Sequence, residues 1–122
     1  MIGYVILGTN DLERSAQFYD ALLSDIGATR FMENDMFIAW AVAPGQPSLA
    51  ITKPFDKEAA TVGNGVMVAL ALDTPEQVDK LYAKAIELGA VDEGPAGKRG
   101  DGFYAGYFRD LDGNKINFFC LT

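Results

Sequence analysis

The sequence predicts an α+β domain made of two copies of one β-α-β-β-β module, and three observations carry that prediction. A short apolar run followed by a stretch with helical spacing occurs twice, once from Gly3 and once from Val66. The two helical stretches end alike: Tyr19 is followed by Ile26-Gly27-Ala28, and Tyr82 by Leu88-Gly89-Ala90. Finally, two aromatic runs flank Asp110-Leu111-Asp112-Gly113-Asn114, whose Gly and Asn tolerate the positive φ of a tight reversal, so Gly102 to Leu121 reads as a β-hairpin. A module of half this length is too small to bury both faces of its own sheet. Two modules must therefore pair, within the chain or with a second copy.

In order, Gly3-Tyr4-Val5-Ile6-Leu7 is continuous, apolar and β-prone, the pattern of a buried strand. Asn10 and Glu13 have the spacing of a capping box, which places Asn10 at the helix cap. Leu12, Ala16, Tyr19, Leu22, Leu23 and Ile26 then share one face, and Gly27 supplies the stop. Three strands are expected at 28–33, 36–42 and 49–53, separated by Asn34-Asp35 and Pro44-Gly45-Gln46-Pro47. Residues 54–64 form a connector between repeats spanning about 1–54 and 65–122 of a single domain. The second repeat opens with a strand at 66–72. Its helix is capped by Thr74, with Pro75 first and Gln77 closing the box, and its buried stripe is Val78, Leu81, Tyr82, Ala85 and Leu88. Gly94 to Gly102 has the composition of a phosphate loop, but it precedes a strand rather than a helix. A mobile loop is expected, with Lys98 and Arg99 able to close over an anion. Arg109 and Asp110 are expected to brace the final hairpin by local pairing.

The 122 residues are one domain's worth, 49% apolar and 22% charged, with a formal charge of −7. That charge argues against nucleic acid or an anionic membrane as partner. No apolar run reaches the length of a membrane span and no signal-like segment is present, so a cytoplasmic protein is expected. The single cysteine, Cys120, lies in an apolar run and reads as a buried thiol. Histidine is absent, which excludes Ser-His-Asp and Cys-His catalysis and removes the commonest ligand for zinc or ferrous iron.

The closing Arg109-Asp110-Leu111-Asp112-Gly113-Asn114 and its apolar strand resemble the last hairpin of the vicinal oxygen chelate superfamily, which includes glyoxalase I, bleomycin-resistance proteins and extradiol dioxygenases. Asn10-Asp11-Leu12-Glu13-Arg14-Ser15 with Phe18-Tyr19, and the order of elements, extend the resemblance over the whole chain. It implies a curved eight-stranded mixed sheet around a cleft, with both helices outside. In metal-dependent members the third residue after the hairpin Asn is a metal-binding Glu, and here it is Asn117. The other positions that the resemblance marks fall on Tyr4, on Ala50 or Thr52, and on Met67. None of these is a carboxylate or an imidazole, so no metal or other cofactor is expected. Trp40 and Phe119 join Tyr4, Thr52, Met67 and Asn117 as expected ligand-binding neighbours, an apolar cup with a few hydrogen-bonding groups. Each of them, taken singly, also fits plain core.

The function expected is metal-independent binding of a small, partly apolar organic molecule, by a protein expected to form a homodimer. The alternative is a glyoxalase-like lyase, isomerase or dioxygenase that holds magnesium or manganese through carboxylates and water. A module serving mainly to dimerise is a third class.

Overall fold

The computed structural model describes residues 1–122, which form two units, Met1–Val62 and Gly63–Thr122. The first holds β1 (Tyr4–Gly8), α1 (Leu12–Ser24), β2 (Thr29–Glu33), β3 (Phe37–Ala41) and β4 (Ser48–Thr52). The second holds β5 (Val68–Ala71), α2 (Pro75–Glu87), β6 (Val91–Lys98), β7 (Phe103–Arg109) and β8 (Lys115–Leu121). The β-α-β-β-β order is thus present twice. The eight strands fall into two sheets of four, ordered β1-β4-β3-β2 and β5-β8-β7-β6. In each sheet the first and last strands pair in parallel and the rest antiparallel. A parallel neighbour cannot be reached by a tight turn, and here the helix and the two middle strands make the crossover.

The helix starts show how local chemistry sets these bounds. Asp11, not Asn10, caps α1: its carboxylate accepts from the Arg14 amide at 3.0 Å. Asn10, one residue earlier, is drawn to the connector instead, where it donates to the Ala60 carbonyl at 3.1 Å and accepts from the Ala60 amide at 2.7 Å. The box at α2 forms as expected, with the Gln77 amide donating to Thr74 Oγ1 at 3.2 Å and the Thr74 amide to Gln77 Oε1 at 3.1 Å.

Each helix covers one face of its own sheet. In the first unit Ala16, Phe18, Tyr19, Leu22 and Leu23 are buried with Leu7, Ile38, Trp40, Leu49 and Ile51. In the second, Val78, Leu81 and Ala85 are buried with Phe108, Ile116, Phe118 and Cys120, the last a free thiol as expected. Two tyrosines fasten α2 to the sheet: Tyr82 donates to Asp92 at 2.7 Å and Tyr104 to Asp79 at 2.6 Å. Burial first, and then the Asp92 carboxylate, push the Tyr82 phenol up to about 12.

One expectation fails in the second unit. Most of the segment 94–102 is not a loop, because β6 runs to Lys98 with register shifts at Asp92/Gly94 and Gly94/Gly97, and only a tight turn joins it to β7. The glycines that suggested a loop are those of a bulged edge strand. As expected, Asp110 and Arg109 both brace the final hairpin, and Arg109 does so without pairing with Asp110 itself. It bonds Glu93 on β6 at 2.8 Å and the Gly113 carbonyl at 3.1 Å. Asp110, buried, accepts instead from the amides of Asp112 and Asn114, both at 2.9 Å, and from the Asn114 side chain at 3.0 Å. No helix is long and apolar enough to cross a membrane.

Gly106 on β7 lies directly beneath α2: a Cβ there would stand 3.0 Å from Tyr82 Cδ2 and 3.1 Å from its Cβ. Gly106→Ala is expected to destabilise the protein by about 1–3 kcal/mol, as overpacking does. Urea unfolding reads this as a lower midpoint at unchanged slope.

Candidate functional site

Because side chains alternate along a strand, the residues that α1 and α2 do not cover form a second, open face on each sheet. In the first unit that face carries Tyr4, Ile6, Phe31, Phe37, Ala39 and Ala50. With Met32 and Ser48 these line a concavity of about 380 Å³. Its walls are apolar, and its two hydroxyls belong to Tyr4 and Ser48, which are register partners on β1 and β4. Tyr4 is 67% exposed. Phe31 and Met32 are adjacent in sequence yet line the same hollow, because β2 bulges between Arg30 and Met32 and the extra residue breaks the alternation.

The second unit repeats this frame. Ile6 pairs with Ala50 and Ala50 with Ala39; correspondingly Ala69 pairs with Asn117 and Asn117 with Tyr107. Ala50 and Asn117 therefore occupy equivalent positions, and Tyr4 and Met67 each stand two residues before the β1 or β5 member of these trios. Met67 lies just outside β5 and is 41% exposed. Asn117 is 1% exposed, and its Oδ1 is buried without a hydrogen-bond partner. Phe119, two residues on, stacks on Phe103 with ring centroids 5.3 Å apart.

Two expected ligand contacts are differently engaged. Trp40 is not on the open face: it lies on the helix-covered side, 2% exposed, donating from Nε1 to Asp20 of α1 at 2.8 Å. Alternation decides this, since its neighbour Ala39 takes the open side. Asp20 also accepts from Arg30 Nε at 2.9 Å and Nη2 at 2.6 Å. The Arg30 bonds first, with that of Trp40, hold the Asp20 carboxyl below the usual carboxylate range although burial pushes it up. Thr52 does share the open face with Ala50, but its hydroxyl lies 2.8 Å from the Lys53 carbonyl and 3.2 Å from that of Met36, tied to backbone. Conversely, Ile6, Phe31, Met32, Phe37 and Ser48 were missed by sequence reasoning. For Phe31 and Met32 the available signal was an apolar pair flanked by the charged Arg30 and Glu33.

A family model described as Glyoxalase/Bleomycin resistance protein/Dioxygenase superfamily matches residues 1–118. The chain belongs to that superfamily. It is similar over all of its length to a glyoxalase/bleomycin resistance protein from Albidiferax ferrireducens, with 37% identity, a TM-score of 0.91 and 99% of that chain covered. A hypothetical protein from S. aureus is 30% identical with a TM-score of 0.77, over 96% of this chain and 91% of that one. Lactoylglutathione lyase from Agrobacterium tumefaciens, at 18% identity and a TM-score of 0.72 over 98% of this chain and 92% of that one, shares the fold. A search of curated proteins gives no match.

Many members of this superfamily work with a divalent metal. The marked positions offer a phenol, a methyl, a thioether and an amide, and no group of three or more His, Cys, Asp or Glu side chains is arranged to hold an ion. Hard cations need several oxygen ligands, usually carboxylates, and this donor set does not fit.

Two expectations follow. Asn117→Leu should leave stability unchanged or raise it by about 1 kcal/mol, because it removes a buried acceptor that bonds nothing; the urea midpoint reads this. Asp20, with its carboxyl held low, contributes stability that is full above the ordinary aspartate range and lost as pH falls through the lowered value. Wild type should therefore lose stability more steeply than Asp20→Asn between about pH 4 and pH 2, followed by acid unfolding.

Proposed function

We propose that this superfamily member binds a small, partly apolar organic molecule on its open sheet faces, without a metal. The observation that carries the reading is the apolar hollow of the first unit, whose volume of about 380 Å³ falls in the range of small-molecule sites. Such a site needs apolar walls and a few polar groups that fix orientation. Phe31, Met32, Phe37 and Ile6 supply the walls, and the Tyr4 and Ser48 hydroxyls the polar groups. In the second unit, Asn117 offers a buried acceptor for a ligand N–H or O–H. The reading assigns no catalytic residue. The lyase and dioxygenase alternative requires an ion, and the donors at the marked positions do not suit one.

The test begins with protein purified without chelator. Metal content should be far below stoichiometric, and adding divalent ions should leave the melting temperature unchanged. Stoichiometric metal or a clear upward shift would overturn the reading. A small-molecule screen by thermal shift should then give hits that bind equally well in chelator. Tyr4→Phe or Asn117→Ala should weaken those hits about three- to tenfold, the loss of one hydrogen bond.

A further inference from the structure

The open face of the second unit changes character along its length. Side chains on this face recur every second residue, about 7 Å apart. On β8 they are Lys115, Asn117 and Phe119; the register partners on β7 are Arg109, Tyr107 and Ala105. Read along the strands, the face presents cations, then an amide beside a phenol, then an aromatic platform on which Phe119 stacks against Phe103.

The cationic end is assembled rather than incidental. Arg99, from the turn after β6, folds back to lie 5.5 Å from the Tyr107 ring centroid, and Lys115 Nζ lies 5.8 Å from the same centroid. The strand that Arg99 crosses is bare beneath it: a Cβ on Gly94 would stand 3.4 Å from Nη2, and one on Gly97 3.2 Å from Nη1. Arg99 is held there by the carbonyls of Pro95 and Lys98 and makes no ion pair; the Asp92 carboxyl is held low by the Tyr82 bond first, then by the Gly94 amide, and only least by the Arg99 charge. The carboxylates nearby are engaged elsewhere. Asp92 accepts from Tyr82 at 2.7 Å and from the Gly94 amide at 2.8 Å, and Glu93 is paired with Arg109 at 2.8 Å. Lys115 has no ion pair. Directly across from Tyr107 stands Asn117, its Oδ1 buried and unpartnered, an independent sign that the face is built for a hydrogen-bond donor it does not itself contain.

We infer that this face is a subsite for an amphipathic organic anion: Lys115 and Arg99 take its carboxylate or sulfonate, Asn117 Oδ1 accepts from an adjacent N–H or O–H, and the Phe103–Phe119 pair carries its apolar body. The inference rests on the small-molecule reading above and narrows it to a ligand class. Lys115, with three donors and no ion-pair partner, is the specificity-determining residue. The chain's overall charge of −7 makes the assignment discriminating, since the field of the whole molecule favours cations.

Two dyes that differ in one group test it on the full chain. 8-Anilinonaphthalene-1-sulfonate has an aromatic body, an N–H donor and a sulfonate, and N-phenyl-1-naphthylamine is the same body and donor without the anion. The sulfonate is expected to bind saturably to folded wild type, about tenfold or more tighter than the neutral dye, the size of one charge-assisted hydrogen bond. Lys115→Met and Arg99→Gln should each lower sulfonate affinity about tenfold and leave the neutral dye unchanged, with cooperative thermal unfolding confirming the fold of each variant. If Lys115→Met does not fold, Lys115→Gln takes its place. Equal binding of both dyes, insensitive to both variants, would overturn the anion subsite while leaving the small-molecule reading intact. Binding of neither dye would overturn both.

Discussion

One helix can cover only one face of a four-stranded sheet, and most of this structure follows from that constraint. A helix of thirteen residues is about 20 Å long and four strands are about 14 Å across, so α1 and α2 each roof one side and no more. Period-two alternation then assigns every strand residue to one of two fates. Leu7, Ile38, Trp40, Leu49 and Ile51 go under α1 and become core; Tyr4, Ile6, Phe37, Ala39 and Ala50 go to the side that no helix covers. The same division in the second unit sends Phe108, Ile116 and Phe118 inward and Tyr107, Asn117 and Phe119 outward. Apolar residues on an uncovered face are costly to keep in water, and the proposed binding role would give them a reason.

Asn117 sharpens that argument, because it shows where stability and function diverge. A buried amide oxygen without a partner costs on the order of 1–3 kcal/mol, a sizeable part of a small domain's total stability. The equivalent position of the first unit holds Ala50, so the fold itself makes no demand for an amide there. Elsewhere buried polar groups of this chain are well served: Asp110 accepts three hydrogen bonds, and the Thr9 hydroxyl donates to the Asp11 carbonyl and accepts from the Asp11 amide. An unmet acceptor in an otherwise satisfied interior is the expected signature of a position kept for binding rather than for folding.

How much of this was legible in the sequence depends on whether the signal was local. The β-α-β-β-β order, the duplication, the Thr74 box and the Asp110–Asn114 turn all rest on residues a few positions apart, and all are present. Trp40 failed because an aromatic in a strand announces burial without announcing which face. Only the register Trp40↔Leu49 and the Asp20 bond settle that it belongs under α1. Asn10 failed because its partner, Ala60, is fifty residues away. The segment 94–102 read as a loop because glycine density signals either a loop or a bulged edge strand. What decides between them is the pairing with β7, again a non-local fact. Met67 and Asn117 could be located from the helix starts and the hairpin. That Asn117 would be buried without a partner could not.

Charge placement brings these threads together. The second unit carries nine Asp and Glu against six Lys and Arg, yet the two signs are not mixed evenly. Asp73, Glu76, Asp79 and Glu87 lie on α2 or just before it, against Lys80 and Lys84 on the same helix. Arg99, Arg109 and Lys115 gather at one end of the open face, where Glu93 is already spent on Arg109. The helix side of this unit is thus net acidic, while Arg99 and Lys115 put two cations without ion pairs on the open face. An anion approaching such a protein gains nothing from long-range attraction. Affinity for it must come from contacts made at close range and from slow release, which is what the proposed subsite of Lys115, Asn117 and the Phe103–Phe119 pair, spread over β7 and β8, would provide.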